Sequence, residues 1–342
     1  MNGTFGSLST AHWGLVATAV ALAAALPLVY HDPYYMTVIV TAEIVLILNI
    51  SWNFILGMAG VWNFGQLAIY ALGAYGSGWI MLHETSLPVA IAILLGGCFS
   101  SLVSLLLAFP TLRLFGIYTS LLTFSFAQVV QYGALNDPRG LTGGAFGYPA
   151  VPGLFPNAGQ TAYLRSYYWV CLSVIVASCF AVAWLRQSHL GYALRSARDA
   201  PAYTAARGID LRAARVAAFG LSGFLAGIAG ALYLSFQQSF TTSQMGLTPM
   251  SIDVTMLVIG GLGTVSGPII GTALVTVIQT WLIDYPGWQL TVLGAFLLVI
   301  VVFVPGGIVG VISNISRRIG AWVREEEESV VADSPAGSPP TA

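Results

Sequence analysis

The chain has 342 residues, of which 57% are hydrophobic and 7% charged, with a formal net charge of -1. A soluble domain carries about 25% charged residues, so the composition excludes an ordinary soluble protein and leaves no basic surface for nucleic acid. Lysine is absent and all 12 basic residues are Arg, which removes a GxxxxGK[ST] phosphate loop and a Schiff-base lysine together.

Apolar windows of about 20 residues recur along nearly the whole length, the pattern of an all-α polytopic membrane protein. In chain order they fall at 13–30, 37–56, 61–82, 87–110, 113–135, 167–185, 215–234, 252–262, 265–283 and 288–312. This predicts about ten transmembrane or partly re-entrant helices in a permease-like domain, residues 1–324, followed by a disordered tail, residues 325–342. The stretch before His12 is polar and lacks basic residues. The first segment therefore reads as a retained span rather than a cleaved signal.

The second segment contains Glu43. A charged carboxylate there costs on the order of 2.5 kcal/mol or more, so it is expected to face protein or water. A proton-carrying role and a plain structural hydrogen bond both remain open for it. Around the end of this segment stand Asn53, Gly57, Gly60, Asn63, Gly65 and Gln66, with Asn49 one turn earlier. Neutral polar groups and glycines in such a place serve either as helix–helix glue or as the lining of a polar route.

The stretch 136–166 is rich in Gly and Pro and reads as the main external loop. Tyr163, Tyr167, Tyr168 and Trp169 beside it suggest an interfacial aromatic belt. Cys98, Cys171 and Cys179 lie in apolar segments with no metal or disulfide spacing, and His12, His31, His83 and His189 form no cluster.

Six Arg (186, 195, 198, 207, 212 and 215) crowd one loop, residues 186–215, which the positive-inside rule makes cytoplasmic. Arg317, Arg318 and Arg324 put the C-terminus on the same side, and counting spans backwards leaves the N-terminus there as well. Within the loop, Leu190, Leu194 and Ala197 have helical spacing. After Asp199, expected as an N-cap, Ala202, Ala205, Ala206 and Ile209 repeat it, with Gly208 as a stop. Two short surface helices follow. They could dock into a soluble partner or simply obey the charge rule.

The second glycine break runs Gly260-Gly261-Leu-Gly263-Thr-Val-Ser-Gly267-Pro268. Irregular backbone at membrane depth survives only where protein buries it or where it lines a watery cavity. The chain is outside near Phe240 and inside at Arg317, and 288–312 supplies one crossing. Residues 252–283 must therefore leave and return to one side, although two full spans need about 40 residues. A short or re-entrant hairpin bent at the glycines is predicted. Asp253 and Asp284 are placed near the external interface. Gly96, in an uninterrupted span, is the comparison position for substitutions at the breaks.

Taken in order, these motifs resemble the LivM-type permeases of branched-chain amino acid ABC importers, over roughly residues 53–310. The similar elements are Asn53-x3-Gly57-x-Ala-Gly60 through Gly65-Gln66 to Gly73-Ala-Tyr75, Arg113-x2-Gly116 through Thr123 to Gln128, and Thr142-Gly143-Gly144 with Gly147. Gly191-x2-Leu194-Arg195 through Arg198-Asp199 to Ala205-Ala206 and Gly208-Ile209 follows. Ser222, the Ala226–Tyr233 run, Ser251-Ile-Asp253 and Gly260–Pro268 complete the series. Pro201, Asn63 and Asp253 depart from the family's usual residues.

The resemblance implies a heterodimer with a second, LivH-like permease, two cytosolic ATPase subunits that bind ATP and Mg, and an extracytoplasmic substrate-binding protein. This chain itself would carry no cofactor and no metal. It implies coupling to the ATPase through Gly191, Leu194, Arg195, Arg198, Asp199, Ala205 and Gly208. It also implies a bacterial cytoplasmic membrane location, with urea or short amides as alternative cargo to branched-chain amino acids. A stand-alone proton-coupled transporter or channel is the competing reading from another class, and a membrane enzyme finds no catalytic dyad.

Overall fold

A computed structural model describes residues 32–310 except 85, 115, 138, 139, 149 and 304–306. The expected first segment, the tail and Arg317, Arg318 and Arg324 lie outside the described residues, as do His12 and His31. The helices are α1 (Pro33–Ala59), α2 (Gln66–His83), α3 (Val89–Thr111), α4 (Ile117–Leu135), α5 (Gln160–Gln187), α6 (His189–Asp199), α7 (Pro201–Ala206), α8 (Leu211–Gln237), α9 (Leu247–Gly260), α10 (Gly267–Trp281) and α11 (Pro286–Phe303). Among the described residues the fold is all-α, with one isolated bridge between Tyr148 and Phe240. Helices α1, α3, α5 and α8 are each long and apolar enough to cross a membrane, and the chain is a multi-pass membrane protein.

Local chemistry sets the helix ends. Asp32 caps α1 by accepting from the Tyr34 N–H at 2.9 Å, with Pro33 in the first position, where its missing donor costs nothing. At the other end Gly60 takes φ +66°, a left-handed conformation that glycine reaches without strain. Helix α2 then starts at Gln66, later than the apolar pattern predicts, because residues 60–65 form the first break. Helix α5 starts earlier than predicted, at Gln160. Its first turns are too polar to register as a span but still form intrahelical hydrogen bonds.

Helices α2, α3 and α8 form a tight knot built on small residues. Gly73 lies against the Gly227 backbone. Ser100 donates to the Ile69 carbonyl at 2.9 Å, Ser101 to Gly220 at 2.8 Å and Ser104 to Phe219 at 2.7 Å. In lipid, helices associate through such close contacts and interhelical hydrogen bonds, because apolar burial from water is no longer available. Gly96 belongs to this knot: a Cβ there would stand 2.7 Å from the Gly73 oxygen. It is therefore a packing position in its own right, and Gly133, with nothing within 4 Å, is the neutral comparison.

Helix α1 runs through the centre, with Ile44, Ile47, Trp52 and Ile55 fully buried against α5, α8 and their neighbours. The hairpin α9–α10 leans on α1, and its Met256, Ile259 and Val275 form a smaller cluster with Leu293 of α11. Its arms have 14 and 15 residues, about 21 and 22 Å at 1.5 Å per residue, against a hydrocarbon core of ~30 Å. The hairpin is short, as the count of crossings required.

Two expectations are corrected. Tyr167 and Tyr168 are fully buried and Tyr163 is packed against the core, so only Trp169, 52% exposed, suits an interfacial belt. The tyrosine hydroxyls explain the difference. Tyr167 and Tyr163 donate to the Ser235 and Phe236 carbonyls at the end of α8, which draws both rings inward. Asp199 ends α6 instead of capping α7, whose N-cap is Ala200, and Ser188 caps α6. Asp253, in the second turn of α9, is buried at 6% exposure. The loop 136–159 is pinned. Tyr148 and Phe240 exchange backbone hydrogen bonds at 3.0 and 3.2 Å, and Val151 donates to Gln238 at 3.0 Å.

Candidate coupling and translocation site

The first break is a closed hydrogen-bond network. Gln66, fully buried, accepts from Asn63 Nδ2 at 3.0 Å and donates to Ser51 Oγ at 3.0 Å and to Ser222 Oγ at 2.9 Å. Asn63 Oδ1 accepts from the Gly65 N–H at 3.0 Å, and Thr123 Oγ1 accepts from the Phe64 N–H at 3.0 Å. One non-helical turn is thus tied to α1, α4 and α8, and its loose backbone groups find side-chain partners. Buried polar groups satisfied in this way make a site stiff and specific. Ser51, Thr123 and Ser222 are members that sequence reasoning did not assign. Hydroxyls spread over three distant segments give no local pattern.

The second break is built differently. Gly261 and Gly263 have φ +112° and +78°, and the turn closes through Thr264, whose hydroxyl donates to the Gly261 carbonyl and accepts from the Gly267 N–H, both at 3.0 Å. The arms approach backbone to backbone, with a Cβ on Gly260 or Gly267 running into the opposite strand of the turn. Pro268 starts α10 from its first turn. Ser266 is buried and its hydroxyl has no partner among the described residues.

The second break meets the last turns of α1, just ahead of the first break and some 200 residues earlier in sequence. Gly57 sits directly on the Gly263 backbone, and a Cβ on Gly57 would overlap the Gly263 Cα. Asn53, one turn earlier, clasps the hairpin tip with both ends of its amide: Nδ2 donates to the Thr264 carbonyl at 2.6 Å and Oδ1 accepts from the Gly263 N–H at 2.8 Å. Asn49, a further turn back, donates to Thr272 Oγ1 at 3.0 Å on α10. One face of α1 therefore carries the hairpin.

Arg198 enters at the same point. From α6 its guanidinium donates to the Gly57 carbonyl, and its methylenes cover Gly60. It also pairs with Asp199 at 2.8 Å, and this bond holds the exposed Asp199 carboxyl below the usual carboxylate range. Helix α6 is seated by Gly191, Leu194 and Ala197, all buried, while Leu190 stays 38% exposed. Gly191 packs on the Leu185 carbonyl, and Arg195 donates to the carbonyls of Arg186 and Gly191 at 2.8 and 3.2 Å. Helix α7 buries only Thr204 and leaves Ala202, Ala205 and Ala206 exposed; it ends at Ala206, with Arg207 as C-cap and Gly208 at φ +76°, so Ile209, also exposed, lies beyond the helix it was expected to continue. Glu43 and Asp253 stand apart from the junction of Asn53, Gly57, Arg198 and Gly263. Glu43 lines a cavity between α1, α5 and α10. The described residues hold no cluster of His, Cys, Asp or Glu suited to a metal ion.

Residues 34–305 match the family model of the branched-chain amino acid transport system permease component. The chain is also 26% identical over 288 residues to the high-affinity branched-chain amino acid transport system permease protein LivM of Escherichia coli (strain K12), and equally to that of Salmonella typhimurium (strain LT2). Each alignment covers 78% of this chain and 67% of the relative. No solved structure gives a significant match. With a family match across most of its length and the interlocked glycine breaks of a multi-pass membrane protein, the chain belongs to the branched-chain amino acid transport system permease family.

Proposed function

We infer that this chain is one permease half of an ATP-driven importer that moves branched-chain or other hydrophobic amino acids inward across the bacterial cytoplasmic membrane. The contact of Arg198, on a surface helix, with Gly60 and with the Gly57 carbonyl, where α1 meets the Gly263 turn, carries this reading. Motion of α6 reaches the hairpin tip through Arg198 and the Gly57 turn of α1 on which the tip rests. Helix α7, exposed at every residue but Thr204, supplies a surface that can fill a groove on an ATPase. The chain has no lysine for a phosphate loop, so the ATPase with its ATP and Mg is a separate pair of subunits. A second, LivH-like permease and an extracytoplasmic binding protein complete the importer. The Arg distribution orients loop 186–215 and both termini inside and loop 136–166 outside. The names of the relatives support the cargo.

Reconstitution of the whole assembly in liposomes tests this. ATP-dependent uptake of leucine, competed by isoleucine and valine and not by urea, is expected. Ala205→Glu is expected to abolish ATPase association and uptake, and undiminished uptake by that variant rejects the docking role. A Cys at Ala205 is expected to cross-link to an ATPase in a nucleotide-dependent way. Cysteines at Gly144 and Ala205 should label with impermeant reagents from opposite sides; labelling of both from one side rejects the orientation. Uptake by this chain alone under a proton gradient would favour a stand-alone transporter instead.

A further inference from the structure

The coupling junction leaves one built feature without a task. Between α1, α5 and α10 lies a cavity of about 630 Å3, within the size range of small-molecule sites. Val38, Ile39, Leu46, Leu172, Ile175 and Ile269 give it apolar walls. Three rings, of Tyr35, Tyr168 and Trp281, also line it. Its one charged group is Glu43, 8% exposed, whose Oε2 is buried and has no hydrogen-bond partner among the described residues.

No basic side chain lines the cavity among the described residues. The chain has no lysine, and residues 1–31 contain no arginine, so the stretch preceding α1 cannot bring a guanidinium or a lysine ammonium to Glu43. A carboxylate taken out of water, with no basic partner among the described residues, must be neutralised by a proton or by a cation. The walls decide between bare ions and organic cations. They offer few oxygen ligands for a hard metal ion, which takes six or more. They do offer apolar surface together with aromatic faces, and aromatic rings attract ammonium groups. Thr276 and Thr280 add hydroxyl-bearing side chains on α10.

We propose that this cavity binds an organic ammonium carried on an apolar body, with Glu43 as its counter-ion. An amino-acid cargo and an aminolipid headgroup both present that chemistry. The cargo version rests on the importer reading, while the site itself does not.

The test uses the full chain purified in a non-ionic detergent, without ATPases. The probes are 3-methylbutylamine and its neutral counterpart 3-methylbutanol, read by the shift in thermal unfolding midpoint and by quenching of tryptophan fluorescence. The amine is expected to raise the midpoint and the alcohol to leave it unchanged. Glu43→Gln, which keeps the side chain's size, is expected to weaken amine binding at least tenfold. Leu46→Trp, which fills the cavity and leaves the carboxylate in place, is expected to abolish it. An equal response to amine and alcohol, no response to either, or full amine binding by either variant overturns the proposal. The source is then separated by competition. Displacement of the amine by leucine assigns the site to cargo, and displacement in phosphatidylethanolamine nanodiscs but not in phosphatidylglycerol ones assigns it to lipid. Failed ATP-driven uptake by the assembled importer leaves this binding intact, and lost amine binding in Glu43→Gln leaves the importer reading intact.

Discussion

The two glycine breaks have similar composition and opposite construction. At 60–65 the irregular backbone is tied by Asn63, Gln66, Ser51, Ser222 and Thr123 to three other helices. At 261–266 the turn is held by its own Thr264, by the Asn53 amide and by steric contact with Gly57 and Gly307, and Arg198 closes the junction from α6. The first break is a fixed joint. The second is a tip resting on a few outside contacts, from one face of α1, from α6 and from the Gly307 backbone. Glycine content alone does not say whether backbone at membrane depth moves; the number and origin of its partners does.

The largest expected effect comes from separating the two tips. In Gly57→Val the new side chain overlaps the Gly263 backbone, which cannot step aside as a flexible side chain can. We predict uptake at background level in proteoliposomes with ATPase association retained. Gly133→Val, where nothing lies within 4 Å, is predicted to transport normally. Equal behaviour of the two variants would break the comparison.

Next is Arg198→Ala. It removes a charged hydrogen bond to a main-chain carbonyl, an interaction of about 1.5–3 kcal/mol, equivalent to a roughly tenfold to hundredfold change in an equilibrium. Uptake per ATP hydrolysed should fall by that order while hydrolysis and assembly persist. Arg198→Lys should fall between, because a lysine ammonium lacks the planar fork that reaches two groups at once. A parallel loss of ATP hydrolysis and uptake would place Arg198 in assembly instead of transmission.

Gln66→Leu probes the fixed joint. It strands Asn63, Ser51 and Ser222, and a few interhelical bonds of ~0.6–1.7 kcal/mol each give a stability loss of about 1–3 kcal/mol. The unfolding midpoint should drop, with the uptake of the folded fraction unchanged. Selective loss of transport at normal stability would make the first break a moving part.

The smallest effect is expected at Asn53→Ala, which removes two neutral hydrogen bonds to the hairpin tip at about 1 kcal/mol each. Hydrogen exchange at residues 261–266 should quicken, and should stay unchanged at 60–65. Combining Asn53→Ala with Arg198→Ala should give less than the sum of the two losses, since both act on one junction.

The sequence by itself determined the class, because a 57% hydrophobic chain with 7% charge and recurrent long apolar windows has no stable alternative to membrane-spanning helices. It also determined the short hairpin, through length and the count of crossings, the surface helices α6 and α7, and the family motifs that the match over 34–305 bears out. Local signals missed the starts of α2 and α5, the cap of α7 and the inward turn of Tyr167 and Tyr168. In each case a partner distant in sequence or a polar first turn overrode the apolar pattern. Only the tertiary structure decided that Gly57 meets Gly263, that Asn53 clasps the turn and that Arg198 covers Gly60 and binds the Gly57 carbonyl at that junction. Those contacts join segments separated by more than 60 residues. Glycine and asparagine carry no directional signal in a sequence, because what they do depends on which backbone folding brings against them.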